Sequence, residues 1–336
     1  MGRQADSAWT GHVIIPESMT LGDHVIQVCD ICACEHYLVF RTRGRHGKPL
    51  QTVICTGCGL VYTNPRPSDA DDPEYYKSRY WHDYRSVIAP DEKFFQRRIP
   101  KVRGIAARCV RLLETVESPR VLEIGCGVGA LSLLLHEGLG ESADITAIEP
   151  SKGHSAFAKQ RTGLDVRHGL LDEIASELAT ASFDLVVMNH VLEHVTSARS
   201  VCDRVLELLR PGGCFVIEVP NVEQPGSRLS HFFHVAHNFN FSPATLRRLA
   251  MLAGFQVKSI ESLDGDLPGT RLFAVLIKGD SPDTSTLPAD DAAQRASSLV
   301  CYGRWYWLTL ATFRKKFTHA RRQRDLNGGD KAYSDL

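Results

Sequence analysis

Two pairs of cysteines stand near the start of this chain, C-D-I-C at 29–32 and C-T-G-C-G at 55–59. Two C-x-x-C knuckles at this range supply four thiolates to one tetrahedral zinc ion. Cys29, Cys32, Cys55 and Cys58 are therefore the expected ligands, with Gly57 and Gly59 permitting the turn that lets the sulfurs converge. Four thiolates leave no open coordination position, so such a zinc is structural and not catalytic. Cys34 is expected to stay outside the set, because it replaces Cys32 only with a changed spacing. Neither pair opens a helix after a strand, which argues against a redox role.

The second constellation is V-L-E-I-G-C-G-V-G-A at 121–130, a strand running into a glycine turn and then a helix. Gly125, Gly127 and Gly129 let the backbone turn tightly and approach a ligand closely. Gly125, Gly127 and Ala130 also fit the dinucleotide pattern G-x-G-x-x-A, with the acid Glu149 about 20 residues on, where it could bind ribose hydroxyls. Electrostatics separates two ligands at this turn. A dinucleotide brings an anionic pyrophosphate, beside which the carboxylate of Glu123 sits poorly. S-adenosylmethionine has no phosphate and carries a cationic sulfonium and amine, beside which Glu123 sits well.

The run E-x-G-x-G-x-G resembles motif I of class I S-adenosylmethionine-dependent methyltransferases, and the resemblance continues downstream. A-I-E-P at 147–150 matches the acidic end of the second strand, F-D-L-V-V-M-N-H-V-L-E-H-V at 183–195 the fourth-strand motif, L-R-P-G-G at 209–213 the turn into the fifth strand, and A-G-F-Q-V at 253–257 the start of the sixth. Each match is loose, but their order and spacing together are specific. The resemblance implies that Glu123, Gly125, Cys126, Gly127 and Gly129 surround the methionine end of the cofactor, and that Glu149, followed by Pro150, holds the ribose. It further implies that Leu170 and Leu171 touch adenine, and that Asn189 and His190 face the sulfur. The cysteine region, continuing through G-L-V-Y-T-N-P-R-P-S and E-Y-Y, is similar to the N-terminal zinc module of a bacterial methyltransferase group associated with sugars, glycans and natural products.

Methyl transfer to a hydroxyl needs alignment, exclusion of water and a general base, for which histidine suits neutral pH. His190 is one candidate base. The other is His237, within S-H-F-F-H-V-A-H-N-F-N-F-S at 230–242, because the loop after the fifth strand lies over the active site in methyltransferases of this kind and a histidine four residues before F-S recurs there. Glu193 and His194 are expected to begin a helix and to cap it or pack locally. M-N-H-V stands where amino methyltransferases carry N-P-P-Y or D-P-P-Y, which argues against an exocyclic amine; a sugar, glycan or small-metabolite hydroxyl is the favoured acceptor, and carbon methylation, which also needs a base, stays open.

These residues need a frame, and the chain has the pattern of one. Buried-strand runs at 121–124, 144–148, 183–188 and 214–219 alternate with helical patterns at 129–138, 151–161 and 198–209, which implies a parallel sheet with covered faces. A helix at 242–253 precedes two strands, F-Q-V-K-S-I-E-S and R-L-F-A-V-L-I-K, whose short connection makes them antiparallel neighbours. The expectation is an α/β, Rossmann-like, doubly wound sheet of seven strands, mostly parallel with an antiparallel last strand, plus a small zinc-ribbon-like module. The segments are an arm (1–28), the zinc module (29–63), a linker and helical lid region (64–118), the catalytic domain (119–280), and a spacer with an aromatic and basic tail (281–336). Tyr75, Tyr76, Tyr80 and Trp81 in the lid region serve either as a cover for the site or as a clamp between module and core. Residues 91–116 read as an amphipathic helix.

Lys plus Arg equals Asp plus Glu in the 336 residues, so no bulk charge draws nucleic acid to the chain. An RNA methyltransferase would have to use the basic loop Arg41, Arg43, Arg45, His46 and Lys48. A silent scaffold would have no need of Glu123, three glycines and Glu149 together, and an NAD oxidoreductase ranks last. The six cysteines outside the knuckles are scattered, the habit of a reduced cytoplasmic protein, and no apolar run is long enough to span a bilayer. The stretch 299–324 has the Trp, Tyr and basic composition of an interfacial helix, with three uses open to it: peripheral membrane contact, docking on the catalytic domain, or a dimer contact.

Overall fold

The computed structural model describes residues 27–67, 90–264, 268–279 and 292–305, with the short strands Val13–Ile14, Thr20–Leu21 and His24–Val25. The aromatic group Tyr75, Tyr76, Tyr80 and Trp81, and the tail beyond 305, lie outside the described residues.

The knuckle region is an antiparallel meander of β1 (Tyr37–Arg43), β2 (Pro49–Cys55) and β3 (Val61–Thr63). Its side chains alternate between two faces, as a strand period of two requires. Tyr37, Val53, Cys55 and Tyr62 point into a large core shared with the central sheet, while Leu38, Leu50, Ile54 and Val61 form a second, smaller core.

The central sheet consists of β4 (Arg120–Ile124), β5 (Asp144–Glu149), β6 (Asp165–His168), β7 (Phe183–Asn189), β8 (Leu209–Pro220), β10 (Phe255–Leu263) and β11 (Arg271–Lys278), in the order β6-β5-β4-β7-β8-β11-β10. The first five strands pair in parallel, and β11 runs antiparallel between β8 and β10. Faces alternate residue by residue. Val186 and Met188 of β7, Phe215 and Ile217 of β8, and Leu272 and Ala274 of β11 enter the core shared with the knuckles. Leu185, Val187, Val216, Phe273 and Val275 enter the opposite core. That opposite core is covered by α1 (Glu92–Leu112) and α2 (Ala130–Leu139). The apolar stripe read from the sequence of α1 buries Phe95, Val102, Ile105, Ala106 and Cys109. The remaining helices longer than four residues, among those described, are α3 (Lys152–Thr162), α4 (Ala198–Leu208), α5 (Pro243–Leu252) and α6 (Ala292–Trp305).

Three local expectations differ from the structure. L-R-P-G-G at 209–213 is not a separate turn; it belongs to β8, with a register shift opposite Phe183 and Leu185. Glu193 and His194 do not begin a helix. They lie in turns between β7 and α4, and Ser197 caps α4 by accepting from the Ser200 amide. The knuckle sheet also does not end at β3. A strand from the loop after β8, β9 (Phe239–Asn240), pairs antiparallel with it, Phe239 opposite Tyr62 and Asn240 opposite Val61.

The first residues of the tail segment are seen docked. Ala296 and Leu299 of α6 are buried with Leu38, Leu50 and Phe232 in the smaller core, and Arg295 donates to Glu223 at 2.8 Å. Among the described residues no helix is long and apolar enough to cross a membrane.

Candidate active site

The turn after β4 is built on backbone conformations that favour glycine. Gly125, Gly127 and Gly129 have φ of 76°, 58° and 77°. At Gly125 the constraint is also steric, because a Cβ there would stand 2.5 Å from Cγ2 of Val191. The amides of Gly125 and Cys126 both donate to the Ile148 carbonyl of β5, at 2.8 and 3.0 Å. Glu149, at the end of β5, is buried, and its two oxygens accept from the amides of Gly127 (2.8 Å) and Ser151 (2.9 Å). A carboxylate has about four lone-pair sites, so these two amide bonds do not by themselves saturate it.

Glu123 sits at the floor of this turn, 2 % exposed, and accepts from the Ser132 hydroxyl. Burial pushes its carboxyl up to about 7, an effect that Ser132 and the Arg98 guanidinium oppose. A buried acid poised to ionise near neutrality suits a cationic ligand.

These residues surround one cavity of about 380 Å³. Its walls include Glu123, Gly125, Cys126, Gly127, Glu149, Pro150, Leu170, Leu171, Asn189 and His190. Gly129 is not among the wall residues; it is the N-cap of α2, one step behind them. Asn189 presents a buried Oδ1 with no hydrogen-bond partner, a further polar group suited to a ligand.

Several wall residues were not singled out from the sequence. Phe94, Arg98 and Val102 of α1 close the cavity, and Asp172 and Glu173 stand beside Leu171. The available signal was Arg98, a cation on the apolar stripe of α1.

At the acceptor end, His190 tips β7 with φ of 58°, outside the usual range for a non-glycine residue. Such a conformation costs about 1–2 kcal/mol and concentrates at functional sites. Its side chain is 29 % exposed, with Nδ1 at 3.2 Å from Glu193 Oε1 and Nε2 at 3.6 Å from Glu218 Oε1. Glu218 in turn accepts from Arg271 at 2.7 Å.

His237, the other expected base, does not line the cavity. It is buried behind His194, which does, with ring centroids 4.9 Å apart, and packs at 3.8 Å on His234. Burial, with His234, His194, His190 and Arg45 nearby, pushes its pKa well below the ordinary histidine value. His237 is therefore a neutral imidazole at neutral pH. His231 is farther out, its ring 6.2 Å from that of His46.

The four expected cysteines converge as one cluster, all ligand atoms within 4.8 Å of one another. Cys29 and Cys58 are 3.5 Å apart at sulfur, as are Cys32 and Cys55. The spacing fits the edges of a tetrahedron with metal–sulfur bonds of about 2.3 Å. Gly57 donates its amide to Cys55 Sγ at 3.3 Å. Cys34 stays outside the cluster, facing the His36 carbonyl and Thr56.

Fold and cavity define a class I methyltransferase architecture, and comparison with known proteins agrees. Residues 94–260 match the family model described as Methyltransferase domain. A probable S-adenosylmethionine-dependent methyltransferase of Mycolicibacterium smegmatis is 29% identical over 223 residues, covering 62% of this chain and 81% of that protein. The ubiquinone biosynthesis O-methyltransferase of a Bradyrhizobium species is 29% identical over 153 residues, or 43% of this chain; the match spans only 58% of that enzyme. Among solved structures, the Burkholderia thailandensis 1,6-didemethyltoxoflavin-N1-methyltransferase, with bound 1,6-didemethyltoxoflavin and S-adenosylhomocysteine, shares the fold at a TM-score of 0.50 and 21% identity, covering 66% of this chain and 96% of that one. The protein is an S-adenosylmethionine-dependent methyltransferase.

Proposed function

We propose that this enzyme O-methylates a hydroxyl of a small metabolite, sugar or glycan that enters the cavity from its His190 side. One observation carries the reading: a carboxylate-backed imidazole, His190 with Glu193 Oε1 at 3.2 Å, opens into the cavity that also holds the glycine turn and the two buried acids. When bound, S-adenosylmethionine supplies an electrophilic methyl on its sulfonium. Glu123 offers its negative charge to the cationic end of the cofactor, and the Glu149 carboxylate accepts from the ribose hydroxyls. Leu170 and Leu171 provide an apolar seat for adenine, and Arg98 a cation for the cofactor's carboxylate. Phe94 and Val102 exclude water, without which the charged pairs would be screened. His190 takes the acceptor proton, and Glu193 holds the ring in the orientation for it. His237 acts from behind His194 and not as the base itself. The name of the Bradyrhizobium relative, an O-methyltransferase, agrees with a hydroxyl acceptor.

We further propose that Cys29, Cys32, Cys55 and Cys58 hold a structural zinc ion, which their mutual distances and the burial of all but the half-buried Cys32 support.

Calorimetry on wild type and Glu149→Ala, with S-adenosylmethionine, its demethylated product and NAD, tests the cofactor site. Micromolar binding of the first two, none of NAD, and loss in the variant is the expected result. No binding by folded, zinc-loaded protein would refute the site assignment. In a subsequent screen of hydroxyl acceptors, His190→Ala is expected to lower kcat by about a hundredfold or more with cofactor affinity retained.

A further inference from the structure

Behind the acceptor wall lies a second group of metal-ligating side chains, separate from the cysteines. Glu193, His194 and His237 are buried, and one donor atom from each lies within 4.8 Å of the others. They come from two separate segments, the turns after β7 and the loop before β9.

Three features of this group point to a cation. Glu193 is 1 % exposed, yet among the described residues its Oε2 has no hydrogen-bond partner; His190 and His194 both face Oε1. A buried carboxylate oxygen left unmatched costs several kcal/mol unless a cation or donor meets it. His194 Nδ1 faces the Ala236 carbonyl at 2.5 Å, a contact that only an N–H at that atom can satisfy. In the neutral ring Nε2 then bears the lone pair, and it faces Glu193 Oε1 at 3.8 Å. With no proton on Nε2, lone pair against carboxylate is repulsive, and a bound cation, like a proton there, reverses the sign. A backbone carbonyl accepting from one ring nitrogen while the other is turned to a ligand is also how metal-binding histidines are commonly oriented.

We propose that Glu193, His194 and His237 form a second metal site, for a divalent transition ion of the zinc class, on the acceptor side of the cofactor cavity. Two imidazoles and one carboxylate are a donor set that zinc accepts, and three protein ligands leave room for an exogenous one. Neighbouring donors on a tetrahedral zinc stand about 3.3 Å apart, so this group, its donor atoms within 4.8 Å of one another, closes on an ion with side-chain shifts of about 1 Å. His194 also lines the cavity, which puts the open position within reach of an acceptor oxygen. An oxygen held by the ion is more acidic than a free hydroxyl and yields its proton to His190 more readily. The inference deepens the hydroxyl-acceptor reading, on which the role of the ion rests; ion binding itself does not depend on it.

The test is a Co2+ titration of metal-free full-length protein, read by absorption and by metal analysis, with S-adenosylmethionine affinity measured in parallel. Wild type is expected to bind two equivalents. The first, at the cysteines, shows intense thiolate charge transfer; the second shows only weak d–d bands. Glu193→Gln and His237→Gln are each expected to bind the first equivalent and lose the second. A single equivalent in wild type overturns the proposal, and so does a second equivalent retained in either variant. If a variant fails to fold, as a lost first equivalent would reveal, X-ray absorption of the second ion in wild type decides. Two imidazoles with oxygen support the site; thiolate or all-oxygen ligation overturns it. Cofactor affinity preserved while the second ion is absent would leave the methyltransferase site standing without the metal.

Discussion

The hydroxyl of Thr63 donates to the carbonyl of His237 at 3.0 Å, across 174 positions of sequence. The Thr63 amide also donates to the Asn238 carbonyl, and Tyr62 pairs with Phe239 in the next register position. Arg45, in the loop between the knuckles, adds two bonds to the same segment: its amide donates to the Phe233 carbonyl at 2.8 Å and its Nε to the His231 carbonyl at 3.0 Å. The cysteine module is therefore an edge on which the histidine loop is laid down. Removing the zinc proposed for its four cysteines is expected to act on that loop first. Chelation, or Cys58→Ser, should raise amide exchange through 229–242 strongly. Affinity for S-adenosylmethionine should change by no more than about threefold, under about 0.7 kcal/mol, because the cavity's glycine turn is held by β4 and β5. Exchange unchanged in 229–242 in metal-free protein would refute this coupling.

Glu123 makes cofactor binding depend on pH in a stated direction. Its carboxyl titrates near 7 in the free protein, raised from 4.5 first by burial. The ionised form is the one that attracts a cation, so affinity should fall as pH drops through 7. At pH 6 it should be weaker than the alkaline plateau by about tenfold. Stability without ligand runs the opposite way. The folded state holds this proton more tightly than the unfolded state, so its contribution is favourable below 4.5 and is lost as pH rises to 7, by up to about 3 kcal/mol. Glu123→Gln is expected to weaken cofactor binding above pH 7, to flatten its pH dependence, and to leave the ligand-free protein no less stable at pH 8. Calorimetry across pH 5.5–8.5 with melting curves checks all three; an unchanged pH profile in the variant would assign the titration elsewhere.

Gly125→Ala carries two separate penalties. The backbone at φ 76° disfavours any Cβ, and this Cβ would stand 2.5 Å from Val191. The left-handed conformation costs about 1–2 kcal/mol on its own, and the clash forces either the turn or the Val191 segment to move. Stability is expected to fall by more than about 2 kcal/mol, with S-adenosylmethionine binding lost at temperatures where the variant is still folded. Denaturant titration beside calorimetry distinguishes this from simple unfolding. Wild-type affinity in the variant would mean that the turn tolerates a displaced backbone.

Six strands of the central sheet were legible because each carries its own period-two or continuous apolar run; β6, D-V-R-H, carries none, and the count of seven came through the resemblance. The residues gathered at the cavity were legible for the same reason, since they sit at strand ends and in the glycine turn. What was not legible depends on pairing between distant segments. Nothing in F-N at 239–240 marks it as a partner of V-Y-T at 61–63, because two residues carry no period. The module therefore read as separate, although Tyr37, Val53 and Tyr62 share a core with Val186 and Met188. His237 read as a base from its position relative to F-S; only the packing of His194 against it shows that it stands one layer back. Glu193 and His194 read as a helix start because an acid and a histidine before a helical pattern suit a cap, but Ser197, closer to the helix, takes that place.

Asp30, between the first two cysteines, provides a measure of how firmly the module grips the catalytic domain. Its Oδ1 accepts from the Ser197 hydroxyl at 2.8 Å and its Oδ2 from the Arg199 amide at 2.9 Å. Ser197 itself accepts from the Ser200 amide. The start of α4 is thus capped by its own serine and, through the Asp30 carboxylate, by the knuckle. A carboxylate at a helix N-terminus also meets the favourable end of the helix dipole. Asp30→Ala should cost about 1–2 kcal/mol without removing a metal ligand, so the stoichiometry of the four-cysteine site should be unchanged. Asp30→Asn keeps one acceptor oxygen and should recover part of the loss. Denaturant unfolding of the metal-loaded variants measures both. An Asp30→Ala protein as stable as wild type would mean that Ser197 alone suffices and that the grip lies in the shared core and the β3–β9 pairing.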